Sequence, residues 1–491
     1  MDWSFPLRAA CERHPRRPAL RHRGETLTFA QLEQRVAALA AGLARSGMTG
    51  RTVAWMLSNR PEAIELSLAL ARVGAVSVPL NPRLAVSEVD FLLRDAGATA
   101  VLADAELSLA AAGLAARDDA LPSVAVLREH GALLVGDELA PVADEALATV
   151  LYTSGTTGFP KGVMRTHRAN AWNVMNSALG SPRRRGEVEL FTLPAFGIGL
   201  LHFAVPAMLG GATVVLDDAF AADRVWALLE SLPATRTFLA PTMISALLAV
   251  DGHERFDLGA LHTIYTAYEF PGSLRERALE RFGDRFVYMY GLTEAQLTCA
   301  APGEFAVRPD SVGGAMGAMR IRILDAQGDP VSPGTVGEIA LQGPAMMSGY
   351  LHRPQETAAG LRNGWVMTGD LGRIDADGDL HYAGRSKEMI KTGGFSVDPR
   401  EVERALLGVP AVQAAAVIGV PDSHWGEMVI AYVEVTDPDD FDPEATLTAC
   451  RQQLAGFKLP KHLRAVDALP VNATGKIARG ELRERWRREA G

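Results

Sequence analysis

Apolar positions in the first half of the chain alternate between a helical period and short unbroken runs. Over residues 29–46 they return every three or four places, the spacing of an amphipathic helix, with Thr28 set to cap its start and Gly47 to end it. Val53-Ala-Trp-Met-Leu57 is an unbroken run and reads as a buried strand. Residues 61–73 then read as helix and 75–80 as strand, and further strand patterns fall at 101–102, 149–152 and 213–216. The Ala-rich stretch 105–120 reads as helix. Helix and strand patterns in alternation predict α/β architecture, with helices layered on largely parallel sheets.

The pattern changes towards the C-terminus. Asp375-Ala-Asp-Gly378 has the composition of a hairpin turn, and residues 402–407, 412–420 and 428–435 follow as helix, strand and strand. That is a small α+β unit of about a hundred residues, enough for a separate compact domain. We expect a large domain over residues 1–384 and a small, mobile lid domain over 385–491. The length supports the division, because 491 residues exceed what one hydrophobic core normally serves.

Charge and composition exclude several classes. A net charge of -9 gives no electrostatic reason to expect nucleic acid, and short Arg runs such as Arg183-Arg184-Arg185 read as solvated surface. Cys11, Cys299 and Cys450 are odd in number and far apart, which fits a reducing cytoplasm better than a disulfide framework or a metal site. The N-terminal residues lack the apolar core of a signal peptide. Residues 190–216 contain no Asp, Glu, Lys or Arg, a length that could span a membrane. Pro194, Pro206, Gly197, Gly199, Gly210 and Gly211 divide this segment, so a buried helix followed by a buried strand is expected and stable membrane insertion is not.

The chemistry begins at Tyr152-Thr-Ser-Gly-Thr-Thr-Gly-Phe-Pro-Lys-Gly162, directly after an apolar strand. Thr153, Ser154, Thr156 and Thr157 supply hydroxyls, Gly155 and Gly158 free the backbone, and Lys161 adds a cation. Such a loop suits polyphosphate. It is not a Walker A loop, because Pro160 stands where that spacing needs its second glycine.

This loop resembles the phosphate-binding signature of the adenylate-forming superfamily, the acyl- and aryl-CoA synthetases and their relatives. Four further segments resemble that family's motifs in the family's order. In Tyr290-Gly-Leu-Thr-Glu-Ala295 the resemblance implies that Thr293 contacts phosphate and Glu294 holds Mg²⁺, with Tyr290 and Gly291 beside the nucleotide. In Gly364-Trp-Val-Met-Thr-Gly-Asp370 it implies that Asp370 accepts from both ribose hydroxyls. In Gly384-Arg-Ser-Lys-Glu-Met-Ile-Lys-Thr-Gly-Gly394 it places Arg385 near the ribose, Lys387 at a domain pivot, and Lys391, Gly393 and Gly394 on the thiolation side. In Leu469-Pro-Val-Asn-Ala-Thr-Gly-Lys476 it makes Lys476 the catalytic lysine, bridging the incoming carboxylate and the α-phosphate. Two segments depart from the family pattern. Pro194-Ala-Phe-Gly-Ile-Gly-Leu200 lacks the usual pocket histidine, and Thr266-Ala-Tyr-Glu-Phe-Pro271 replaces the usual small adenine segment. By motif position the acyl pocket is drawn from Phe196, Gly197, Gly199, Met243 and Tyr268.

The resemblance implies ATP-dependent activation of a small-molecule carboxylic acid as its acyl-adenylate, with coenzyme A as acceptor. A carrier-protein thiol or an amine is the alternative acceptor, and a non-catalytic acyl-nucleotide or lipid-binding protein is a third reading. A homodimer is left open. Amino-acid-activating domains place an Asp just after the pocket Phe to pair with the substrate ammonium, whereas Gly197 stands here. Burying an unpaired ammonium costs several kcal/mol, so an acid without an α-ammonium group is expected.

Overall fold

The computed structural model describes residues 2–132, 139–153, 160–182, 185–268, 270, 273–295, 298–299, 303–385, 388–392, 395–422, 425–438, 441–451, 453–454, 456–471 and 477–490. The predicted helix after Thr28 forms over Phe29–Arg45, and Thr28 and Gln31 close a reciprocal capping box at its start. The predicted strands form over Thr52–Met56, Val76–Pro79, Ala100–Ala103, Leu147–Thr153 and Thr213–Leu216, and the second helix over Pro61–Arg72. Residues 105–120 are helical only over Leu109–Ala115. The Ser108 hydroxyl accepts from the Ala111 N–H and starts the helix there, while Leu107 N–H turns back to the Asp104 carbonyl.

Two largely parallel sheets form the body. The first has seven strands in the order Phe286–Met289, Thr263–Ala267, Arg236–Phe238, Val188–Phe191, Thr213–Leu216, Pro18–His22 and Glu25–Thr28, parallel except at the last pair. The second has six, with Ala100–Ala103, Thr52–Met56, Val76–Pro79 and Leu147–Thr153 parallel and Lys161–Thr166 and Gly349–Tyr350 added antiparallel. The largest hydrophobic cluster joins Leu20, Phe191 and Val214 of the first sheet to Val53, Trp55 and Ala148 of the second, through the Phe29–Arg45 and Pro61–Arg72 helices. A third, wholly antiparallel sheet of five strands (Arg320–Leu324, Gly337–Gln342, Trp365–Ile374, Leu361–Arg362 and Leu380–Arg385) was not foreseen.

The smaller C-terminal domain is built on a fourth sheet. Its long hairpin, Val412–Asp422 with Gly426–Val435, is buried on both faces. Ala415, Val417, Val429, Ala431 and Val433 pack into one cluster with the Pro399–Leu407 helix, while Ala416, Ile418, Ile430 and Tyr432 pack into another with Leu482 and Trp486. Two covered faces explain why these strands read as nearly continuous apolar runs. The uncharged stretch 190–216 proves to be the end of one strand, a wide helical turn Leu200–Ala204 running into helix Val205–Leu209, and the strand Thr213–Leu216. Among the described residues no helix is long and apolar enough to cross a membrane.

Candidate active site

In open parallel sheets ligands gather beyond the C-terminal ends of the strands. Four adjacent parallel strands of the first sheet end in the candidate segments. Val188–Phe191 leads to Phe196, Gly197 and Gly199, Arg236–Phe238 to Met243, Thr263–Ala267 to Tyr268, and Phe286–Met289 to Tyr290, Gly291, Thr293 and Glu294. Residues from Phe196 to Glu294, nearly 100 positions apart, thus meet along one sheet edge only because the strands are parallel.

Asp370 lies at the centre of a polar cluster on the third sheet. It is 1% exposed and stands opposite Arg385 in the strand register. The Arg385 Nε donates to its Oδ1 at 2.9 Å and the Tyr290 hydroxyl to its Oδ2 at 2.8 Å. Burial raises the Asp370 carboxyl above its ordinary value, while Arg385 and Tyr290 pull the other way. Each oxygen keeps a further lone pair, so the group can still accept from a ligand. The Tyr290 ring stacks on Tyr382 at 5.4 Å, and the guanidinium of Arg400, from the small domain, lies 4.7 Å over Tyr382. Gly384 has φ +114°, and a Cβ there would meet the Arg400 guanidinium, so this close approach needs glycine.

Thr293 and Glu294 form a turn closed by a Leu292–Ala295 bridge rather than the start of a helix. The Tyr350 hydroxyl donates to Glu294 Oε1 at 2.9 Å. Lys161 opens the strand opposite Thr153, with its Nζ 5.3 Å over the Tyr350 ring. Among the described residues no three His, Cys, Asp or Glu side chains cluster to hold a metal. One carboxylate is nonetheless what Mg²⁺ needs when phosphates and water complete its octahedron, so the residues present fit that ion. Neither Tyr350 nor Tyr382 belongs to a motif that would have marked it.

Of the residues expected to line the acyl pocket, Phe196 packs part-buried against the main core beside Ile198, and Met243 lies between the two largest clusters. Asn59 holds this segment by both its ends, donating to the Leu193 carbonyl and accepting from the Ala195 N–H, each at 2.7 Å. His202 is buried on the following wide turn, where it meets Asn173 at 3.1 Å. Burial and the Arg165 charge lower its pKa to about 3, so it stays neutral. Tyr268 is a half-exposed residue at φ +78°, a region that a tyrosine seldom occupies. Lys391 falls on the strand Ile390–Thr392. Ser154, Gly155, Thr156, Thr157, Gly158, Lys387, Gly393, Gly394 and Lys476 lie outside the described residues.

Comparison with known proteins gives the family. The family model for the AMP-binding enzyme matches residues 7–351, and that for the AMP-binding enzyme C-terminal domain matches residues 401–476. The chain belongs to the AMP-binding enzyme family. Within that family it is 38% identical over 497 residues to a feruloyl-CoA synthase of Amycolatopsis sp, covering 98% of each chain. It is 34% identical over 488 residues to the indoleacetate–CoA ligase of Aromatoleum aromaticum, covering 96% of this chain and 95% of that one. ATP-bound MatB from Rhodopseudomonas palustris shares the AMP-binding fold at a TM-score of 0.88 and 28% identity over 99% of both chains.

Proposed function

We propose that the acid activated by this enzyme is aromatic and carries no α-ammonium group. The reaction is that of an AMP-forming acid–thiol ligase. The carboxylate attacks the α-phosphorus of ATP and pyrophosphate leaves; the coenzyme A thiol then attacks the acyl carbonyl and AMP leaves. The observation that carries the substrate reading is that residues 190–216, taken by motif position as the pocket wall, have no charged side chain and that their one titratable group, His202, is held neutral. An ammonium placed there would be buried without a partner. Two relatives that match nearly end to end are named for ferulate and indoleacetate, both aromatic acids. Pyrophosphate release should be highest with such aryl acids and give the matching thioester when coenzyme A is added. A preference for α-amino acids would overturn the reading, and thioester formation only on a carrier protein would replace the acceptor.

We propose the following residue roles, supported by the motifs and, for the described residues, by their geometry. Asp370 accepts from the ribose hydroxyls, and Tyr290 and Arg385 hold its carboxylate in place for them. Lys161 and the donors of residues 153–158 hold the phosphates, where positioning and cationic charge lower the barrier most. Glu294 holds Mg²⁺, which when bound supplies positive charge to the phosphate oxygens. Lys476 brings its cation to the carboxylate and α-phosphate, and the small domain, divided from the large one at residues 384 and 385, turns about Lys387 before thiolation. By motif, Lys391, Gly393 and Gly394 are assigned to the thiolation half-reaction.

A further inference from the structure

Arg165 is a charged residue with no exposed surface, standing on the strand Lys161–Thr166. No motif includes it and no step described above uses it. Burial lowers its pKa to about 10, and the one opposite charge that acts on it appreciably is that of Glu294. Its guanidinium fans out to neutral acceptors. Nε donates to Asn170 Oδ1 at 2.8 Å, Nη1 to the Thr293 carbonyl at 2.8 Å, and Nη2 to the Ala345 carbonyl at 3.0 Å and that of Ala169 at 3.4 Å. The Thr293 and Ala345 carbonyls belong to separate segments, the turn after strand Phe286–Met289 and the stretch that leads into strand Gly349–Tyr350. These segments also hold each other, through the Met347 N–H on the Glu294 carbonyl at 2.8 Å and the Tyr350 hydroxyl on the Glu294 carboxylate.

We propose that Arg165 is a positioning residue that clamps these two segments together, so that Tyr350 fixes one oxygen of Glu294 and leaves the other for the divalent cation. The proposal rests on Glu294 being the Mg²⁺ ligand. A planar guanidinium can span three acceptors at fixed angles, whereas the single nitrogen of a lysine cannot. Partners that orient a metal ligand are worth about 10–100-fold in metal affinity.

The test is calorimetric titration of ATP into the full chain, with and without Mg²⁺, beside thermal unfolding. Arg165→Lys keeps the charge and loses the clamp. It should lose about tenfold or more of the affinity that Mg²⁺ adds to ATP, with ATP binding in its absence and the KM for the acid nearly unchanged. Glu294→Gln is the reference and should lose that Mg²⁺-dependent gain as well. If Arg165→Lys retains the gain while Glu294→Gln loses it, the positioning role is wrong. If Glu294→Gln retains it, the metal assignment itself fails and the proposal falls with it. Should Arg165→Lys not fold, hydrogen exchange on the unmodified protein decides. The amides of residues 292–295 and 345–350 should gain protection together on adding Mg²⁺ and ATP, and protection of one segment alone would count against a clamp.

Discussion

The small domain offers a perturbation whose size can be worked out from its contacts. Glu403, on the helix Pro399–Leu407, is 6% exposed. Its carboxylate takes two hydrogen bonds from Arg479 Nη2, at 2.7 and 2.9 Å, and one from the Val417 N–H at 2.7 Å. Arg479 begins the C-terminal helix Arg479–Ala490, so the pair ties that helix to the sheet and to the Pro399–Leu407 helix. Arg479→Met strands a buried carboxylate, a loss that costs about 3–5 kcal/mol. At about 1.4 kcal/mol per decade, amide protection in the strand Val412–Asp422 should fall by about 10²–10³ or more, read by hydrogen exchange with mass spectrometry. Burial already raises the Glu403 pKa, while Arg479 opposes it. Without the arginine the folded-state pKa rises further above the unfolded one. The folded form then binds the proton more tightly, and the deficit should shrink as pH falls through that range. Adding Glu403→Gln should recover much of the loss, because no charge is then left unpaired. A protection loss under threefold, or a double variant whose defects simply add, would refute the reasoning.

Other outcomes follow from the proposed roles. Lys476→Ala should lose about 10²–10³ in pyrophosphate release, yet form thioester at nearly the parent rate from presynthesised acyl-AMP and coenzyme A; equal defects in the two assays would contradict a role confined to adenylation. Arg385→Gln removes a cation that holds the Asp370 carboxyl down, so the carboxylate should be lost at a higher pH as pH falls. The acid limb of kcat/KM for ATP should therefore move to higher pH, and a lowered plateau with an unmoved limb would argue against it.

Much of the active-site edge was legible because the family's motifs sit at strand ends, and strand ends are where a parallel sheet gathers its ligand residues. Thr28 announced its helix as a local cap, which the structure completes with Gln31. What stayed hidden depends on partners distant in sequence. No motif marks Arg165 in the sequence. Only the fold shows that it is buried and that the segments carrying Thr293 and Ala345 turn carbonyls towards it. Tyr350 lies 56 residues from the carboxylate it orients. The third sheet was missed because its strands are partly exposed on short hairpins, with neither a helical period nor long apolar runs. The buried helix and strand expected within 190–216 do form, but the burial of every position of the turn Leu200–Ala204 leaves no periodicity to mark where the helical part begins.

Arg400 touches Tyr382, Tyr382 stacks on Tyr290, and Tyr290 bonds Asp370, so an unbroken line of contacts runs from the small domain to the Asp370 carboxylate, the proposed ribose acceptor. Two equilibria that share such a line are thermodynamically reciprocal. By whatever factor docking of the small domain improves the fit around Asp370, occupation of Asp370 must favour docking by that same factor. On the proposed role of Asp370, the nucleotide would act on the domain arrangement as well as react within it. If the small domain turns away for thiolation as proposed, that grip is released, and the affinity for AMP should fall in the same movement that opens the path for the thiol.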